Sequence, residues 1–292
     1  MTELEYHRCD AIDPTVVHAA FSRGFSDYVV QFSLGVDAFE QRFFGIECNQ
    51  RACSFVALVD GEPAGLILGG VRTLEGVRTM RMGAMAIVPE HRGRLGLSRG
   101  LFERHRQSAR EAGCAQLWLE VIVGNDRAIA FYRKQGYEPV GRLGYYHHDE
   151  PGTIVPGSME GPRIEPCSLA DARGCATAAV HVNWQNQAFC IEQVTGQRSF
   201  AVVEGGGIAG AIGLDPSGRI DFLYVREPQR RRGLGTALLA TAIRELQPAG
   251  LSVGTPSEPS LDAFLLARGF RRRSLEQHEM RRTAGVRTTG SP

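Results

Sequence analysis

The chain has 292 residues, 33 basic and 32 acidic side chains, and 43% hydrophobic residues. This length favours two domains. The balanced charge argues against a nucleic-acid-binding or membrane-surface protein, whose binding face is usually basic, and no apolar run approaches the roughly 20 residues that span a bilayer. The N-terminal residues mix charges and lack an apolar core, so we do not expect a signal peptide. These features predict a cytoplasmic protein.

The cysteine, lysine and histidine residues argue against several further kinds of site. The seven cysteines form no Cys-x-x-Cys pair and are odd in number, which favours free thiols over disulfides and predicts no metal site. Lys134 is the only lysine, so a Schiff-base lysine is nearly excluded. The adjacent His147 and His148 follow a predicted strand, where solvation is expected more often than metal binding.

The first half of the sequence combines helix-like and strand-like patterns. Apolar residues recur at three- and four-residue spacing in the helical segments, and the Asp60-Gly61 turn separates two apolar strands. Gly113 and Gly136 each follow a helical pattern, where glycine often ends a helix. The predicted helices lie at 11–22, 36–44, 97–112 and 125–135, and the predicted strands at 53–59, 64–71, 81–88, 116–123 and 138–146.

The same order of elements recurs after a stretch rich in proline and glycine. Residues 147–162 contain three prolines and three glycines, which is typical of a linker. We therefore expect an N-terminal domain at 1–146, a C-terminal domain at 163–283 and a disordered tail at 284–292. The second half is predicted to hold a helix at 169–180, a hairpin at 200–214, a strand at 219–225, a helix at 236–246, a strand at 251–253 and a helix at 261–268.

One loop of the second half has the features of an anion-binding site. An apolar strand ends at Val225, three arginines lead to Gly233 and Gly235, and a helix follows at once. Glycines let the backbone approach a ligand, the first free amides of a helix attract anions, and arginines bind phosphates. The alternative is an ordinary glycine-containing turn with solvated arginines. The lysine of a Walker loop and the third glycine of a dinucleotide fingerprint are both absent.

This loop resembles the signature of the GNAT superfamily of acyl-CoA-dependent N-acyltransferases, Arg/Gln-x-x-Gly-x-Gly/Ala. Arg230, Gly233 and Gly235 match that signature. The resemblance implies two tandem α/β domains, each with a mixed, mostly antiparallel sheet flanked by helices, and a loop that holds the pyrophosphate of acetyl-CoA. The coenzyme contacts that it implies in the second half are Val225, Arg230, Arg231, Arg232, Gly233, Leu234, Gly235 and Thr236.

The first half carries a poorer copy of the loop. The spacing from the end of the preceding strand places Gly96 on Gly233 and Ser98 on Gly235, whereas the spacing from residues 89–94 expects a glycine at Leu95. The two registers differ by one residue, which indicates a one-residue insertion. The coenzyme contacts that the resemblance implies here are Ala86, Ile87, Val88, Arg92, Gly93, Arg94, Leu95, Gly96, Leu97 and Ser98.

A second family motif is stronger in the first half, where residues 117–141 resemble it almost throughout. In the family, the asparagine at the position of Asn125 contacts the coenzyme arm, and the tyrosine at the position of Tyr132 can protonate the leaving thiolate. The alternative for Tyr132 is a core aromatic residue. In the second half, the alignment places Glu258 on Asn125 and Leu265 on Tyr132, so that half lacks the leaving-group acid.

Acidic and aromatic residues supply the remaining candidates. Glu120 and Asp221 each interrupt an apolar strand and are candidate bases acting through water, with a structural carboxylate as the alternative. Asp27 and Tyr28 lie where the family builds its acceptor site, which makes them candidate acceptor contacts.

The resemblance implies acetyl transfer from acetyl-CoA to an amine of a small molecule or peptide. A neutral amine would attack the thioester, backbone amides of the strand ending at Val88 would stabilise the oxyanion, and Tyr132 would return a proton to sulfur. We expect this chemistry in the N-terminal domain, in a monomer or homodimer. Two alternatives stay open: an active C-terminal domain, as in the tandem enzyme mycothiol synthase, or a non-catalytic acyl-CoA sensor or scaffold.

Overall fold

The computed structural model describes residues 2–155, 163–176 and 181–283. The chain divides into two compact units, and neither is a continuous stretch. The first comprises residues 1–121, 125–140 and 279–292, and the second comprises residues 122–124 and 141–278. The predicted boundaries at 146 and 163 thus differ from the divisions between the compact units, and as folding units those two domains remain a prediction. The predicted tail lies outside the described residues.

The first unit is built on a sheet with the strand order β1-β2-β3-β4-β5. Neighbouring strands are antiparallel except for β4 and β5, which are parallel. The strands are β1 (Leu4–Arg8), β2 (Phe55–Val59), β3 (Glu62–Leu74), β4 (Val77–Ile87) and β5 (Gln116–Ile122). The helices are α1 (Pro14–Gly24), α2 (Val36–Glu40), α3 (Leu97–Glu111) and α4 (Asp126–Lys134). A π-helix at Gln41–Ile46 continues α2.

The second unit has the strand order β12-β6-β11-β10-β9-β8-β7, and β10 and β11 are parallel. Its strands are β6 (Glu138–His148, in this unit from Gly141), β7 (Ile164–Cys167), β8 (Arg198–Glu204), β9 (Gly207–Leu214), β10 (Arg219–Val225), β11 (Leu251–Pro256) and β12 (Arg271–Thr283, in this unit up to His278). Its helices are α5 (Leu169–Gly174), α6 (Ala188–Ile191), α7 (Leu234–Leu246) and α8 (Pro259–Ala267).

Both faces of each sheet are buried. In β2, Val56 packs with the helices α1 and α2, whereas its neighbour Ala57 packs with α3 and α4. In the second unit, α7 and α8 cover one cluster and α5 covers another. Because side chains alternate along a strand, helices on both faces require the nearly continuous apolar strands that the sequence contains.

The order of elements confirms the duplication, since each half runs strand, two helices, three strands, helix, strand, helix, strand.

Three of the strands, β1, β7 and β12, were not predicted from the sequence. Residues 147–162 were expected to be a linker, but His147 and His148 end β6, a short helical turn follows at Pro151–Thr153, and 156–162 lie outside the described residues. The predicted helix at 169–180 ends at Gly174, and residues 177–180 are not described.

No helix among the described residues combines the length and the apolar character that crossing a bilayer requires.

Candidate functional site

The two glycine loops have the same local geometry. After the strand end, each chain makes a short helical turn, at Pro89–His91 and at Glu227–Gln229, and then reaches an arginine. The residue before each helix is a glycine with positive φ, +67° at Gly96 and +79° at Gly233. Because glycine offers no side-chain cap, the first amides of α3 and α7 are open to a ligand. A helix start of this kind favours an anion.

The predicted insertion in the first loop is confirmed. Arg92 and Arg230 are equivalent because each donates from Nε to the carbonyl five residues earlier, Ile87 O at 2.9 Å and Val225 O at 3.0 Å. Gly96 follows Arg92 by four residues, whereas Gly233 follows Arg230 by three. The first loop has positive φ at three residues, Gly93, Leu95 and Gly96. In the second loop, only Arg231 and Gly233 have positive φ.

A wedge opens beside each loop because the parallel strands separate. The β4–β5 ladder stops at Met82 and Leu119, and the β10–β11 ladder stops at Ile220 and Val253. One extra residue bulges from each strand at the point of separation, Gly83 in β4 and Asp221 in β10. The carboxyl ends of parallel strands and β-bulges are frequent positions of binding sites. Each half therefore places an opening in its sheet next to an anion-binding loop.

The two equivalent arginines differ in what they contact. Arg92 forms a two-point ion pair with Asp27, at 2.6 and 2.7 Å, and its NH2 also donates to Gly24 O. The Arg230 side chain donates one hydrogen bond, to Val225 O, and lies 5.9 Å from the centre of the Tyr224 ring, and no carboxylate among the described residues forms an ion pair with it. Arg230 can therefore offer its terminal nitrogens to a phosphate, whereas those of Arg92 already bind a carboxylate.

The other predicted coenzyme residues of the two loops differ in how far they are buried and in the contacts that their side chains make. The side chains of Ile87, Val88, Leu97 and Leu234 are buried, and Ala86 packs closely against Gly24. Arg232 pairs with Glu204 at 2.8 Å, and Thr236 accepts a hydrogen bond from Arg268 at 3.3 Å. Gly93, Arg94, Leu95, Gly96 and Arg231 are exposed, while Ser98 and Gly235 are half-buried.

Three predicted residues of the first half converge. Burial raises the pKa of Tyr28, while the side chain of Asn125 lies near enough to lower it, and Tyr28 in turn adds to the effect of burial in raising the pKa of Tyr132. Asn125 is also the N-cap of α4, since its Oδ1 accepts a hydrogen bond from Ala128 N at 3.2 Å. The Asn125 side chain therefore both caps α4 and lies beside Tyr28, which was expected to touch the acceptor.

Tyr132 is buried, with 8% of its surface exposed, between the rings of Phe131 and Tyr137. Burial raises the pKa of Tyr132 well above its ordinary value, and the nearby Tyr28 raises it further. The phenol is therefore protonated at neutral pH, which is the form that a leaving-group acid requires.

Glu120 forms a buried ion pair with Arg81. Its Oε2 lies 2.9 Å from Arg81 Nε and 2.7 Å from Arg81 NH2, and both side chains are about 97% buried, with 3% of each exposed. A carboxylate held in this way supports the structural alternative weighed from the sequence. A catalytic role for Glu120 remains a prediction.

The second half has different residues at the tyrosine and asparagine positions. Glu258 is the N-cap of α8 and accepts hydrogen bonds from the amides of Ser260 and Leu261, so it occupies the same position on its helix as Asn125 does on α4. Burial raises the pKa of Glu258, but these hydrogen bonds and the nearby charge of Arg230 leave it below its ordinary value. Leu265, aligned with Tyr132, is a fully buried core residue.

A cleft of about 740 Å³ lies at the loop of the second unit. It extends from the loop to the separated strands β10 and β11 and to α8, and its lining includes Tyr224, Arg230, Arg231, Gly233, Gly235 and Glu258. This volume lies within the range of small-molecule and cofactor sites. The cleft, the open helix start and the available Arg230 together fit an elongated phosphate-bearing ligand such as acetyl-CoA.

The sequence drew attention to Asp221 but not to its neighbours. Asp221 is 96% buried, with 4% of its surface exposed, and Arg173 NH2 lies 3.5 Å from its Oδ1. Burial raises the pKa of Asp221 to about 6, against the lowering effects of Arg173, Gln197 and Arg219. Asn183 and Arg173 lie on a loop and a short helix that carry no motif, so no sequence signal identified them.

Two family models match most of the chain. The model described as "Acetyltransferase (GNAT) family" matches residues 20–137, and the model described as "Acetyltransferase (GNAT) domain" matches residues 173–286. An N-alpha-acetyltransferase of Sulfurisphaera tokodaii is 32% identical over 108 residues, which cover 34% of this chain and 64% of that protein. The match therefore spans less than two thirds of the length of that relative.

Solved structures share the fold along nearly the whole chain. A tandem GNAT protein from the clavulanic acid biosynthesis pathway has a TM-score of 0.65 and 16% identity, with 98% of this chain and 99% of that chain covered. A GCN5-related N-acetyltransferase from Sphaerobacter thermophilus has a TM-score of 0.66 and 15% identity, with 97% of each chain covered. At these identities, the likeness shows the fold alone.

Proposed function

The chain belongs to the GNAT acetyltransferase family, and from that premise we propose that it is an acetyl-CoA-dependent N-acetyltransferase with its coenzyme in the cleft of the second unit. The observation that carries the proposal is the 740 Å³ cleft lined by the loop residues Arg230, Gly233 and Gly235. The equivalent arginine of the first unit is bound to Asp27, which favours the second unit as the main coenzyme site.

The residues of the cleft have distinct roles in this proposal. Acetyl-CoA supplies the activated acetyl group as a thioester. The first amides of α7 and the guanidinium of Arg230 bind the pyrophosphate. The wedge between β10 and β11 admits the extended arm, and the bulge at Asp221 brings backbone groups close to the thioester. Glu258 places a negative charge near Arg230, so we expect moderate rather than very tight coenzyme binding.

The acceptor that we propose is an amine of a small molecule or a peptide. The balanced charge of 33 basic and 32 acidic residues gives no support to a nucleic-acid partner. We propose a cytoplasmic setting, and a monomer or a homodimer, as expected from the sequence.

The matched arginines test the location of the coenzyme. Arg230→Ala should weaken acetyl-CoA binding by about 10-fold or more, because it removes a charge-assisted hydrogen bond to phosphate. Arg92→Ala is the control and should change the affinity little. Isothermal titration calorimetry of the full chain measures both, with melting temperatures to check folding. Loss of binding in the Arg92 variant alone would overturn the assignment.

A second candidate places the chemistry in the first unit, and the convergence of Tyr28, Asn125 and Tyr132 favours it. There, Tyr132 would donate its proton to the departing thiolate.

Tyr132→Phe tests this candidate, with Tyr137→Phe as the control. Both tyrosines are buried, and the Tyr137 hydroxyl has no hydrogen-bond partner among the described residues. If the first unit is catalytic, Tyr132→Phe should lower kcat by about 10²-fold with coenzyme affinity unchanged, and the control should keep full turnover. Equal turnover of the two variants would contradict a catalytic role for Tyr132. Tight acetyl-CoA binding without thiol release from any amine would instead support a coenzyme sensor.

A further inference from the structure

A further arginine, Arg268, lines the cleft of the second unit together with Arg230 and Arg231. Arg268 is the C-cap of α8, and its NH1 donates a hydrogen bond of 3.3 Å to Oγ1 of Thr236, on the first turn of α7. The guanidinium therefore lies beside the helix start at which the pyrophosphate is proposed to bind. A second guanidinium at this position can bind a second phosphate group.

The guanidinium of Arg268 is incompletely paired. Its Nε is buried and has no hydrogen-bond partner among the described residues, and in that part of the chain no carboxylate forms an ion pair with Arg268. The bond to Thr236 is longer than the usual N–H···O distance of about 2.9–3.0 Å, and its acceptor is neutral. Because buried polar groups are seldom left unsatisfied, and because this group is charged, an anion is the ligand that suits it.

The face of α8 next to Arg268 suits the base of a nucleotide. Ala263 and Ala267 lie four residues apart, so they share one face of the helix, and both are exposed in the lining of the cleft. Phe264 lies against the loop, since a Cβ built at Gly235 would come within 3.0 Å of the phenyl ring. These apolar side chains form a surface between the loop and Arg268 that an adenine ring can cover.

We propose that Arg268 binds the 3′-phosphate of coenzyme A and makes the cleft selective for the 3′-phosphorylated coenzyme. The inference rests on the proposed function, because it requires the pyrophosphate at the loop. In coenzyme A one ribose carries both the pyrophosphate and the 3′-phosphate, so the two groups lie near each other. Arg230 and the first amides of α7 bind the pyrophosphate, and Arg268, beside the same helix start, binds the 3′-phosphate.

The equivalent position of the first unit carries no charge. Gln135 is the C-cap of α4 as Arg268 is that of α8, and each is followed by a glycine with positive φ, Gly136 and Gly269. A glutamine amide can donate to a phosphate but supplies no positive charge. The first unit thus lacks this cation, and its Arg92 is paired with a carboxylate. Selectivity for the 3′-phosphate is therefore a property of the second unit.

A structural role for Arg268 makes a different prediction. A cation at the C-terminus of a helix interacts favourably with the helix dipole, so Arg268 could serve only to stabilise α8. Loss of that stabilisation would affect all ligands of the cleft alike. Loss of a 3′-phosphate contact would affect only ligands that carry this phosphate. Coenzyme A and 3′-dephospho-coenzyme A differ in that group alone and separate the two roles.

The test is isothermal titration calorimetry of the full chain with each of these two ligands. The wild type should bind coenzyme A about 10-fold more tightly than the dephospho form, the effect of one charge-assisted contact. Arg268→Gln should weaken coenzyme A binding about 10-fold and leave the dephospho form unchanged. Arg268→Met keeps the apolar stem and serves in case the glutamine variant does not fold. Arg244→Gln, at an exposed position in the last turn of α7, is the control and should match the wild type.

The outcomes separate this inference from the proposed function. Arg230→Ala should weaken both ligands by a similar factor and leave the preference for coenzyme A intact. Binding of neither ligand by the wild type would contradict the proposed function itself. Equal affinity of the wild type for the two ligands would overturn the 3′-phosphate site alone. A preference that survives the Arg268 substitution, or an equal loss of both ligands, would also overturn it.

Discussion

At the scale of single residues, the core of the first unit contains a histidine that no catalytic step uses. His105 lies on α3 and is fully buried, and neither ring nitrogen has a hydrogen-bond partner among the described residues. Burial lowers the pKa of His105 to about 4 from an ordinary value of 6.5. The imidazole is therefore neutral in the folded protein at every pH near neutrality.

This histidine makes the stability of the protein depend on pH. The folded pKa lies below the unfolded one, so the contribution is constant above pH 6.5 and stability is lost as the pH falls from 6.5 towards 4. The loss at pH 4.5 should be on the order of 2 kcal/mol. His105→Leu should remove this part of the loss, as measured by chemical denaturation at pH 7 and pH 4.5. His91→Gln, at a partly exposed position, is the control, and an unchanged acid sensitivity of His105→Leu would contradict the account.

At the scale of elements, the segment that follows α1 determines whether Arg92 of the first loop is free to bind a ligand. Asp27 pairs with Arg92, and Tyr28 lies beside Asn125, so two residues of one short segment lie next to both coenzyme motifs predicted for that half. The hydrogen bond from Arg92 holds the pKa of Asp27 below its ordinary value, which keeps the carboxylate charged at neutral pH. The Asp27 carboxylate thus binds the terminal nitrogens of Arg92, the atoms that on Arg230 are proposed to bind phosphate.

Removing that carboxylate should change how many coenzyme molecules bind. Asp27→Asn leaves the side chain similar in size but releases the terminal nitrogens of Arg92 from an ionic partner. We expect a second, weaker acetyl-CoA binding event in calorimetry, because the first loop retains its open helix start. Glu90→Gln, which breaks only the neighbouring pair with Arg23, should leave the stoichiometry unchanged. A single binding event in the Asp27 variant would show that the first loop cannot hold the coenzyme.

The elements that the sequence could predict are those encoded locally. The loop at Gly233 and the N-cap at Asn125 follow from residue types within a few positions of each other, and both are present. The strand β12, by contrast, is rich in charged residues, and its burial is confined mainly to Glu279 and Met280. Such a strand is set by its neighbours in the sheet and not by its own pattern.

The parts of the site that the sequence could not predict depend on distant partners. Arg92 and Asp27 are 65 residues apart, and nothing near either one indicates that they pair. The residues around Asp221 come from α5, the 181–186 loop and β10, which only the folded unit brings together. An acid inside an apolar strand was a usable signal for Asp221, whereas Asn183 offered none.

At the scale of the whole molecule, the two halves share one order of elements but differ in the residues that the two proposed sites would use. The first unit has the protonated Tyr132 near Tyr28, and its loop has an extra residue and an arginine that is paired with Asp27. The second unit has the open loop, the cleft and the incompletely paired Arg268, with a leucine in place of the tyrosine. Duplication followed by divergence accounts for this division, and the account predicts that coenzyme binding and turnover depend on the second unit.

Hydrogen exchange of the full chain with and without acetyl-CoA distinguishes the two units as the site of the coenzyme. We expect slower exchange of the backbone amides in residues 230–237, at the loop and the start of α7, because these amides would bind the pyrophosphate. Residues 92–99 should change little, and Arg230→Ala should abolish the protection at the same coenzyme concentration. Protection of residues 92–99 with none at 230–237 would contradict the account and place the coenzyme in the first unit.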